Sequence, residues 1–301
     1  ECAVMRKCML SLLVILLLLA AYPVFGQELQ VVATFTILED FVKAVGGERV
    51  EVHALVGRGI DPHTWEPTPK DARLVAQADL VVANGAGFDQ WLLDLLHNAA
   101  GSDTPIAFAS ERLSVSALSH SHHDEQNGHG GDPHFWLSVP NAISYVQQIT
   151  EALVRLSPAD SVYFMERSHA YMEKLAELDR WMQDQLGKIP KENRVIVTYH
   201  NAFSYLAERY DFEVAEFLVQ NPEAEPSPRE LARLVNLLKG REKRALFVEP
   251  QLSSGTRYMQ TLAREIQGEL YTLYSDSLTD LVPTYLDLMK YNTETLVEAL
   301  K

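Results

Sequence analysis

The stretch Val50-Glu51-Val52-His53-Ala54-Leu55-Val56 decides the class of the fold. It is rich in β-branched residues and is followed at once by a loop that contains Gly59 and Pro62, which is typical of a short strand. Similar runs recur on both sides of it, and helical patterns such as Pro228 to Leu238 separate them. The other runs are Leu29 to Phe35, Leu80 to Asn84, Pro105 to Phe108, Arg194 to Tyr199, Phe212 to Ala215, Ala245 to Val248 and Leu270 to Tyr274. Strands that alternate with helices predict an α/β protein with parallel sheets.

A single long helical pattern lies between the two groups of strands. Ser157 is a plausible N-cap with Pro158 at the first helical position, and apolar residues recur at steps of three, four or seven until Gly187. A helix over residues 158–186 would be about 43 Å long. We therefore predict an N-terminal lobe at 27–157, a linking helix at 158–187 and a C-terminal lobe at 188–301. The alternative is an ordinary helix packed within one lobe.

The composition excludes several classes of protein. The chain has 301 residues, of which 47% are hydrophobic and 22% are charged, so it can bury one large core or two smaller ones. The formal net charge of −15 argues against a nucleic-acid partner, because phosphate binding needs clustered Lys and Arg. Cys2 and Cys8 are the two cysteines, so the body of the chain has no disulfide framework and no thiolate metal site.

Residues 1–26 have the pattern of an export signal. Arg6 and Lys7 precede an apolar run from Met9 to Ala21, and small residues end the segment at Gly26. The run is shorter than the roughly 20 residues that span a bilayer as a helix. We expect a signal peptide cleaved near Gly26, with an uncleaved anchor as the alternative.

Three histidines and one aspartate lie where strands or loops end. His63 and His134 each close an Asp-Pro-His triplet, in which proline stiffens the loop that presents the imidazole. His200 follows the run Arg194 to Tyr199, and Asp276 follows the run that ends at Tyr274. Ligands of open α/β sheets bind at the carboxyl ends of strands, so the four side chains are candidates for one site, two from each half.

The residue types of this group suit a transition metal. Three imidazoles and one carboxylate form a four-coordinate set that fits zinc, whereas magnesium and calcium prefer oxygen ligands alone. The spacing matches neither a zinc finger nor an HExxH helix. From spacing alone, the alternative is that each histidine is an ordinary core or surface residue.

At these residues the sequence resembles the ZnuA/TroA-like metal-binding proteins that feed ABC importers. Six motifs carry the resemblance, in the family's order and over nearly the whole chain after the signal. They are Asp61-Pro62-His63 with Glu66-Pro67, Asp132-Pro133-His134 with Trp136-Leu137-Ser138, His200-Asn201-Ala202-Phe203 with Tyr205-Leu206, Glu225-Pro226-Ser227-Pro228, Phe247-Val248-Glu249-Pro250-Gln251 and Ser275-Asp276-Ser277.

The resemblance implies a C-clamp of two Rossmann-like α/β lobes joined by one long rigid helix, with a single metal in the cleft. His63, His134, His200 and Asp276 would be its ligands, and the protein would deliver the ion to an ABC transporter permease. Manganese-selective relatives usually have glutamate at the third position, so His200 favours Zn²⁺ over Mn²⁺. Because no cysteine stands at the cleavage point, we expect a monomer free in the periplasm, without a lipid anchor.

A second group of histidines lies in the segment 119–131. His120, His122, His123 and His129 occur there without apolar periodicity, which is typical of a loop. Such loops are thought to gather or sense zinc in zinc-importing relatives. A solvated linker with no essential histidine is the alternative.

The sequence is also compatible with three other functions. A manganese or broader divalent-metal binding protein of the same importer class is the main alternative. A zinc hydrolase is a remote one, with Asp276 as base, and an adhesin-like surface protein is a third. Trp65, Trp136 and Tyr199 adjoin the ligands and are expected to form an apolar shell around them, while Glu249 could support a ligand or bridge the lobes.

Overall fold

The computed structural model describes residues 28–98, 104–114, 131–219, 222 and 224–301. The first group of elements is β1 (Leu29–Phe35), α1 (Thr36–Gly46), β2 (Val50–Val56), α2 (Pro69–Gln77), β3 (Leu80–Ala83), α3 (Gln90–Asn98), β4 (Ile106–Phe108) and α4 (Val139–Leu156). The helix α5 (Ser161–Leu186) comes next. The second group is β5 (Val195–His200), α6 (Ser204–Tyr210), β6 (Glu213–Val219), α7 (Pro228–Lys239), β7 (Ala245–Val248), α8 (Ser253–Ile266), β8 (Glu269–Thr272) and α9 (Tyr285–Leu300).

Each group of strands forms one parallel sheet, and the two sheets have the same order. The first is β2-β1-β3-β4 and the second is β6-β5-β7-β8, with four strands in each. The predicted α/β fold with two parallel sheets is therefore confirmed. In both sheets the order reverses beside the first strand, and the carboxyl ends of strands next to such a point border a crevice.

Buried apolar side chains connect the two sheets through a continuous core. Phe41 and Trp136 from the first group belong to it, together with Tyr205, Phe247 and Tyr285 from the second. Two smaller cores cover the other faces of the sheets. Because side chains in a close-packed interior have little freedom, the shared core fixes how the strand ends of the two sheets face each other.

The long helix starts slightly later than predicted. A short 3₁₀ turn, Pro158–Asp160, precedes α5, and the Ser157 hydroxyl donates a hydrogen bond of 2.7 Å to Asp160 at the end of this turn. Gly187 follows the last helical residue, as expected. The helix contacts α1 and α4 on the side of the first sheet and α9 on the side of the second. That contact pattern suits the linking role, which together with the lobe boundaries stays a prediction.

Within the described part of the chain, no helix combines the length and apolar character that crossing a membrane requires. The predicted signal peptide at 1–26 lies outside the described residues. So do the four histidines of the second group, His120, His122, His123 and His129.

Candidate metal site

The four side chains predicted as ligands meet at one point between the sheets. His63, His134, His200 and Asp276 each offer one ligand atom, and these atoms all lie within 4.8 Å of one another. No other such group of histidine, cysteine and acidic residues occurs among the residues that the structure describes. Chain segments far apart in sequence thus converge on a single candidate site.

The spacing of the ligand atoms matches a four-coordinate ion. The Nε2 atom of His134 lies 3.3 Å from that of His63 and 3.4 Å from that of His200. The carboxylate oxygens of Asp276 lie 3.4 Å from His134 Nε2 and 3.6 Å from Nε2 of His63 and of His200. A tetrahedron with metal–nitrogen bonds of about 2.0–2.1 Å has edges of about 3.3–3.4 Å, close to the two nitrogen–nitrogen distances. Asp276 faces His134 with Oδ1 and faces His63 and His200 with Oδ2.

The site is nearly closed to solvent. His200 and Asp276 have no exposed surface and His134 is 2% exposed, whereas the side chain of His63 is 15% exposed. His63 is therefore the ligand beside which an ion would enter. Four polar groups gathered in such a place are costly to bury unless they are paired or coordinate a cation.

The two Asp-Pro-His loops use their aspartates to hold the histidine backbone. The Asp61 carboxylate accepts the backbone N–H of His63 at 3.0 Å, and the Asp132 carboxylate accepts that of His134 at 2.9 Å. Asp132 also accepts the ring Nδ1–H of His134 at 2.7 Å. Because a carboxylate can only accept, this contact places the proton on Nδ1 and leaves the Nε2 lone pair for a metal.

His200 is oriented in the same way by Glu249. His200 ends β5 and Glu249 follows β7, the neighbouring strand, and the ring Nδ1 donates to the Glu249 carboxylate at 2.9 Å. The Ser275 hydroxyl donates to the other oxygen of Glu249 at 2.5 Å. Glu249 thus supports a ligand, which is one of the two roles open from the sequence.

Burial and neighbouring charges have opposite effects on the pKa of His200 and on that of Asp276. Burial lowers the pKa of the His200 imidazole, but the Glu249 carboxylate outweighs this effect and raises the pKa from 6.5 to about 9. Burial raises the pKa of the Asp276 carboxyl, but His134, His63 and His200 outweigh it and bring the pKa well below its usual range. Asp276 is therefore ionised, and its buried Oδ1 atom has no hydrogen-bond partner.

The loop that carries Asp276 leaves the second sheet but is fastened to the first group of elements. The Trp136 indole N–H donates to the Ser275 carbonyl at 2.8 Å, and the Gly59 N–H donates to the Leu278 carbonyl at 3.0 Å. The Arg58 guanidinium donates to the carbonyls of Thr279 and Pro283 at 3.2 and 3.1 Å. Asp276 belongs to the C-terminal half by sequence, yet the N-terminal half holds its loop.

The aromatic shell of the site differs in part from the expected one. Trp136 lies beside His134, with ring centroids 5.2 Å apart, as expected. Trp65 packs on Trp91, with ring centroids 4.5 Å apart, and Tyr199 stacks on Tyr258 at 6.4 Å. The ring that the sequence did not single out is Phe88, which lies 5.0 Å from the His63 ring and 5.7 Å from the His134 ring. A lone apolar residue in a glycine-rich loop gave no signal for this role.

Named relatives align with almost the whole length of the chain. The chain is 34% identical over 279 residues to the manganese-binding lipoprotein MntA of Halalkalibacterium halodurans, covering 91% of this chain and 89% of that protein. It is 32% identical over 285 residues to the manganese ABC transporter substrate-binding lipoprotein PsaA of Streptococcus anginosus, covering 91% and 90%. The solved periplasmic zinc binding protein TroA of Treponema pallidum has the same fold, with a TM-score of 0.82, 27% identity and coverage of 91% and 99%.

The prediction that the protein is free in the periplasm without a lipid anchor is wrong. MntA and PsaA are both named lipoproteins, and a lipoprotein is held at a membrane by its lipid. The prediction rested only on the missing cysteine at Gly26, in a stretch outside the described residues. The folded body, which determines the metal site, carries no information about a covalent lipid at a distant terminus.

The family is established by a match that spans both sheets. Residues 31–299 match the family described as "ZnuA: Zinc-uptake complex component A periplasmic". Its members are solute-binding components of ABC importers, which work with a membrane permease, and they are not enzymes. The hydrolase alternative is thereby excluded. The chain belongs to the ZnuA family of metal-binding components of ABC importers.

Proposed function

We propose that this protein captures one Zn²⁺ ion with His63, His134, His200 and Asp276 and delivers it to the importer's permease. The observation that carries the proposal is the convergence of the four side chains, whose ligand atoms lie within 4.8 Å of one another, with His134 Nε2 3.3 and 3.4 Å from the other two Nε2 atoms. Zinc accepts tetrahedral coordination by nitrogen and oxygen without a ligand-field penalty. Three neutral imidazoles and one carboxylate leave a net charge of +1 on the bound ion and its ligands.

Manganese is the second candidate, because the relatives MntA and PsaA are named for it. Two properties of the site favour zinc. Imidazole suits zinc, whereas manganese prefers oxygen ligands in octahedral geometry, and manganese stands at the weak end of the divalent series. The third ligand, His200, supplies nitrogen at the position where a carboxylate would suit manganese better.

The ring orientations support binding of an ion that has lost its water. His134 and His200 each donate Nδ1–H to a buried carboxylate, which fixes the tautomer and makes Nε2 a stronger donor. Only His63 retains appreciable exposure, so capture would proceed from its side and end with burial against His134, His200 and Asp276.

The proposal extends to the second group of histidines. His120, His122, His123 and His129 would form a weaker secondary site that gathers zinc near the cleft, because ordering a loop costs conformational entropy. Deleting 119–130 should remove weak zinc uptake and leave one tightly bound ion. We also propose that the protein acts as a monomer. Its net charge of −15 supports the proposal that it binds no nucleic acid.

A metal competition tests the zinc proposal. Metal-free protein is titrated with Zn²⁺ and with Mn²⁺ in separate and competing experiments, beside the variants His200→Glu and His53→Ala. We expect one tight zinc per chain and a clearly smaller preference for zinc over manganese in His200→Glu, because a carboxylate oxygen replaces an imidazole nitrogen. His53→Ala removes an exposed histidine on β2 and should behave as the unaltered protein.

Two results would contradict the proposal. The first is unaltered protein that binds manganese as tightly as zinc, which would make it a manganese or broader transition-metal binding protein. The second is a His200→Glu variant that keeps the full preference for zinc, which would remove His200 from the ligand set.

A further inference from the structure

The loop between β3 and α3 has an unusual backbone. Gly85, Ala86 and Gly87 have φ angles of +82°, +51° and +82°, so three successive residues adopt the left-handed region. Among the described residues, the other non-glycine residues with positive φ are Asp211 and Gln267, and both directly follow a helix. Ala86 is the exception, since it follows no helix. Strain of this kind persists only where the surroundings impose it, and it gathers at functional sites.

The surroundings that impose it are visible in the structure. The buried carboxylate of Asp89 accepts the backbone N–H of Asn84 at 2.6 Å and that of Gly85 at 3.0 Å, and it accepts the Thr34 hydroxyl at 3.0 Å. A Cβ atom at Gly85 would lie 3.0 Å from the Ser110 hydroxyl, so a larger residue would disturb the loop. The loop is therefore rigid at both of its ends.

This backbone geometry places Phe88 beside two of the candidate ligands. Ala86 and Gly87 are exposed, but Phe88 turns inward and is only 6% exposed. Its ring stands nearly perpendicular to two ligands, at 78° and 5.0 Å to His63 and at 79° and 5.7 Å to His134. It also contacts Trp136, 5.0 Å away, which itself lies beside His134. Two ligands of the site thus share one apolar wall.

We propose that Phe88 is a specificity-determining positioning residue that keeps the bound ion four-coordinate. This inference rests on the zinc function proposed above and deepens it. The ring fixes the planes of His63 and His134 so that both Nε2 atoms point at the ion, and its apolar surface offers no hydrogen bond to a water bound there. Mn²⁺, which prefers six ligands, would lack room for two further oxygen ligands. Zn²⁺, which accepts four ligands, would not be disfavoured.

The test replaces Phe88 by leucine and by alanine. Leucine keeps an apolar wall of reduced size, and alanine leaves room for water beside His63. Each variant is loaded with Co²⁺, whose visible absorption is intense in four-coordinate sites and weak in six-coordinate ones, and its relative affinity for Zn²⁺ and Mn²⁺ is measured by competition. Phe164→Ala is the control, since it removes a fully buried ring on α5 that packs in the core beside Tyr163.

We expect Phe88→Ala to lose most of the intense cobalt absorption and to reduce the preference for zinc about 10- to 100-fold, with Phe88→Leu between it and the unaltered protein. Phe164→Ala should lower the melting temperature without changing either readout. If the unaltered protein selects zinc but both Phe88 variants keep its cobalt spectrum and its zinc preference, this inference is overturned alone. If the unaltered protein shows no preference for zinc, the proposed function fails first and the inference falls with it.

Discussion

Each histidine ligand shows how a neighbouring side chain determines what an imidazole can do. His134 and His200 are held through Nδ1 by Asp132 and Glu249, whereas the Asp61 carboxylate reaches only the backbone N–H of His63 and the hydroxyl of Thr64. His63 is also the most exposed of the ligands. The two buried imidazoles are thus pre-oriented by ionic hydrogen bonds, and His63 relies on its stiff loop and on Phe88.

Glu249→Gln should weaken zinc binding about 10- to 100-fold, because a neutral amide makes His200 a poorer donor and no longer dictates its tautomer. The fold should be retained, since the amide has the same shape. A competition titration with a zinc chelator measures the change. Glu173→Gln is the matched control, because Glu173 lies 3.5 Å from the exposed His169 in a surface pair of the same kind. Equal affinities for both variants would show that Glu249 does not act through His200.

Zinc binding should release a proton at neutral pH. In the metal-free protein the pKa of His200 is about 9, so this imidazole is protonated at pH 7 and must lose its Nε2 proton before it binds metal. Apparent zinc affinity should therefore rise as pH increases toward about 9. Calorimetry in buffers of different ionisation enthalpy counts the protons released. Release that stays at zero from pH 7 to 9 would contradict the pKa of His200.

The same pKa predicts that the stability of the metal-free protein falls as pH rises, whereas its zinc affinity increases. Because the folded pKa of His200 lies above the unfolded value of 6.5, its stabilising contribution is complete below pH 6.5 and is lost as pH rises through about 9. Thermal melts of metal-free protein should therefore show less stability at pH 9 than at pH 6.5 from this group. Glu249→Gln should flatten that dependence, and an unchanged slope in the variant would count against the His200–Glu249 pair as its source.

At the scale of elements, the loop after β8 is the least expected part of the structure. Its length and composition give no sign that it docks across the lobes, because most of the contacts are made by its backbone groups, with the Ser277 hydroxyl as an exception. The Leu278 N–H donates to the Thr36 hydroxyl at 2.9 Å, and the Tyr285 N–H donates to the Asp40 carboxylate at 2.9 Å. The Asp276 loop is thereby bonded to both halves, since Glu249 and Gln251 of the C-terminal half also bond Ser275.

Arg58→Ala should loosen this loop, because the guanidinium bonds two of its carbonyls, Thr279 and Pro283. We expect a loss of about 1 kcal/mol in the free energy of unfolding and a weaker hold on zinc through Asp276. Hydrogen exchange at 277–283 and zinc titration measure the two effects. Arg112→Ala, which breaks an exposed pair with Glu151 elsewhere in the N-terminal half, is the control. Unchanged exchange in the Arg58 variant would show that the loop is held by its other bonds.

The elements also show where sequence patterns are informative. Runs rich in β-branched residues predicted strands such as Val50–Val56 and Ala245–Val248 with the observed bounds, because such residues favour strands whether one face is exposed, as in the first, or the strand is buried throughout, as in the second. The four ligand candidates could be predicted because the carboxyl ends of strands border the crevice. Phe88 and the docking of the Asp276 loop could not be predicted, since they depend on backbone angles at Gly85 to Gly87 and on contacts between residues more than 200 positions apart.

In the whole molecule, two sheets with the same strand order lie on either side of the four candidate ligands, which are nearly closed to solvent. The continuous core around Trp136, Tyr205 and Tyr285 holds the lobes together, and the four ligand atoms lie within 4.8 Å of one another without a bound ion. A preformed site of this kind pays little ordering entropy when the ion arrives. The lipid anchor for which the relatives are named belongs to a terminus and leaves no trace in this core.

X-ray absorption at the zinc edge, on protein loaded with one equivalent of zinc, tests the proposed site most directly. We predict four ligands, of which three are imidazole nitrogens at about 2.0–2.1 Å and one is a carboxylate oxygen at about 2.0–2.2 Å. His200→Ala should lose one imidazole contribution. A shell of five or six ligands, or one with fewer than three imidazoles in the unaltered protein, would contradict the four-coordinate zinc site.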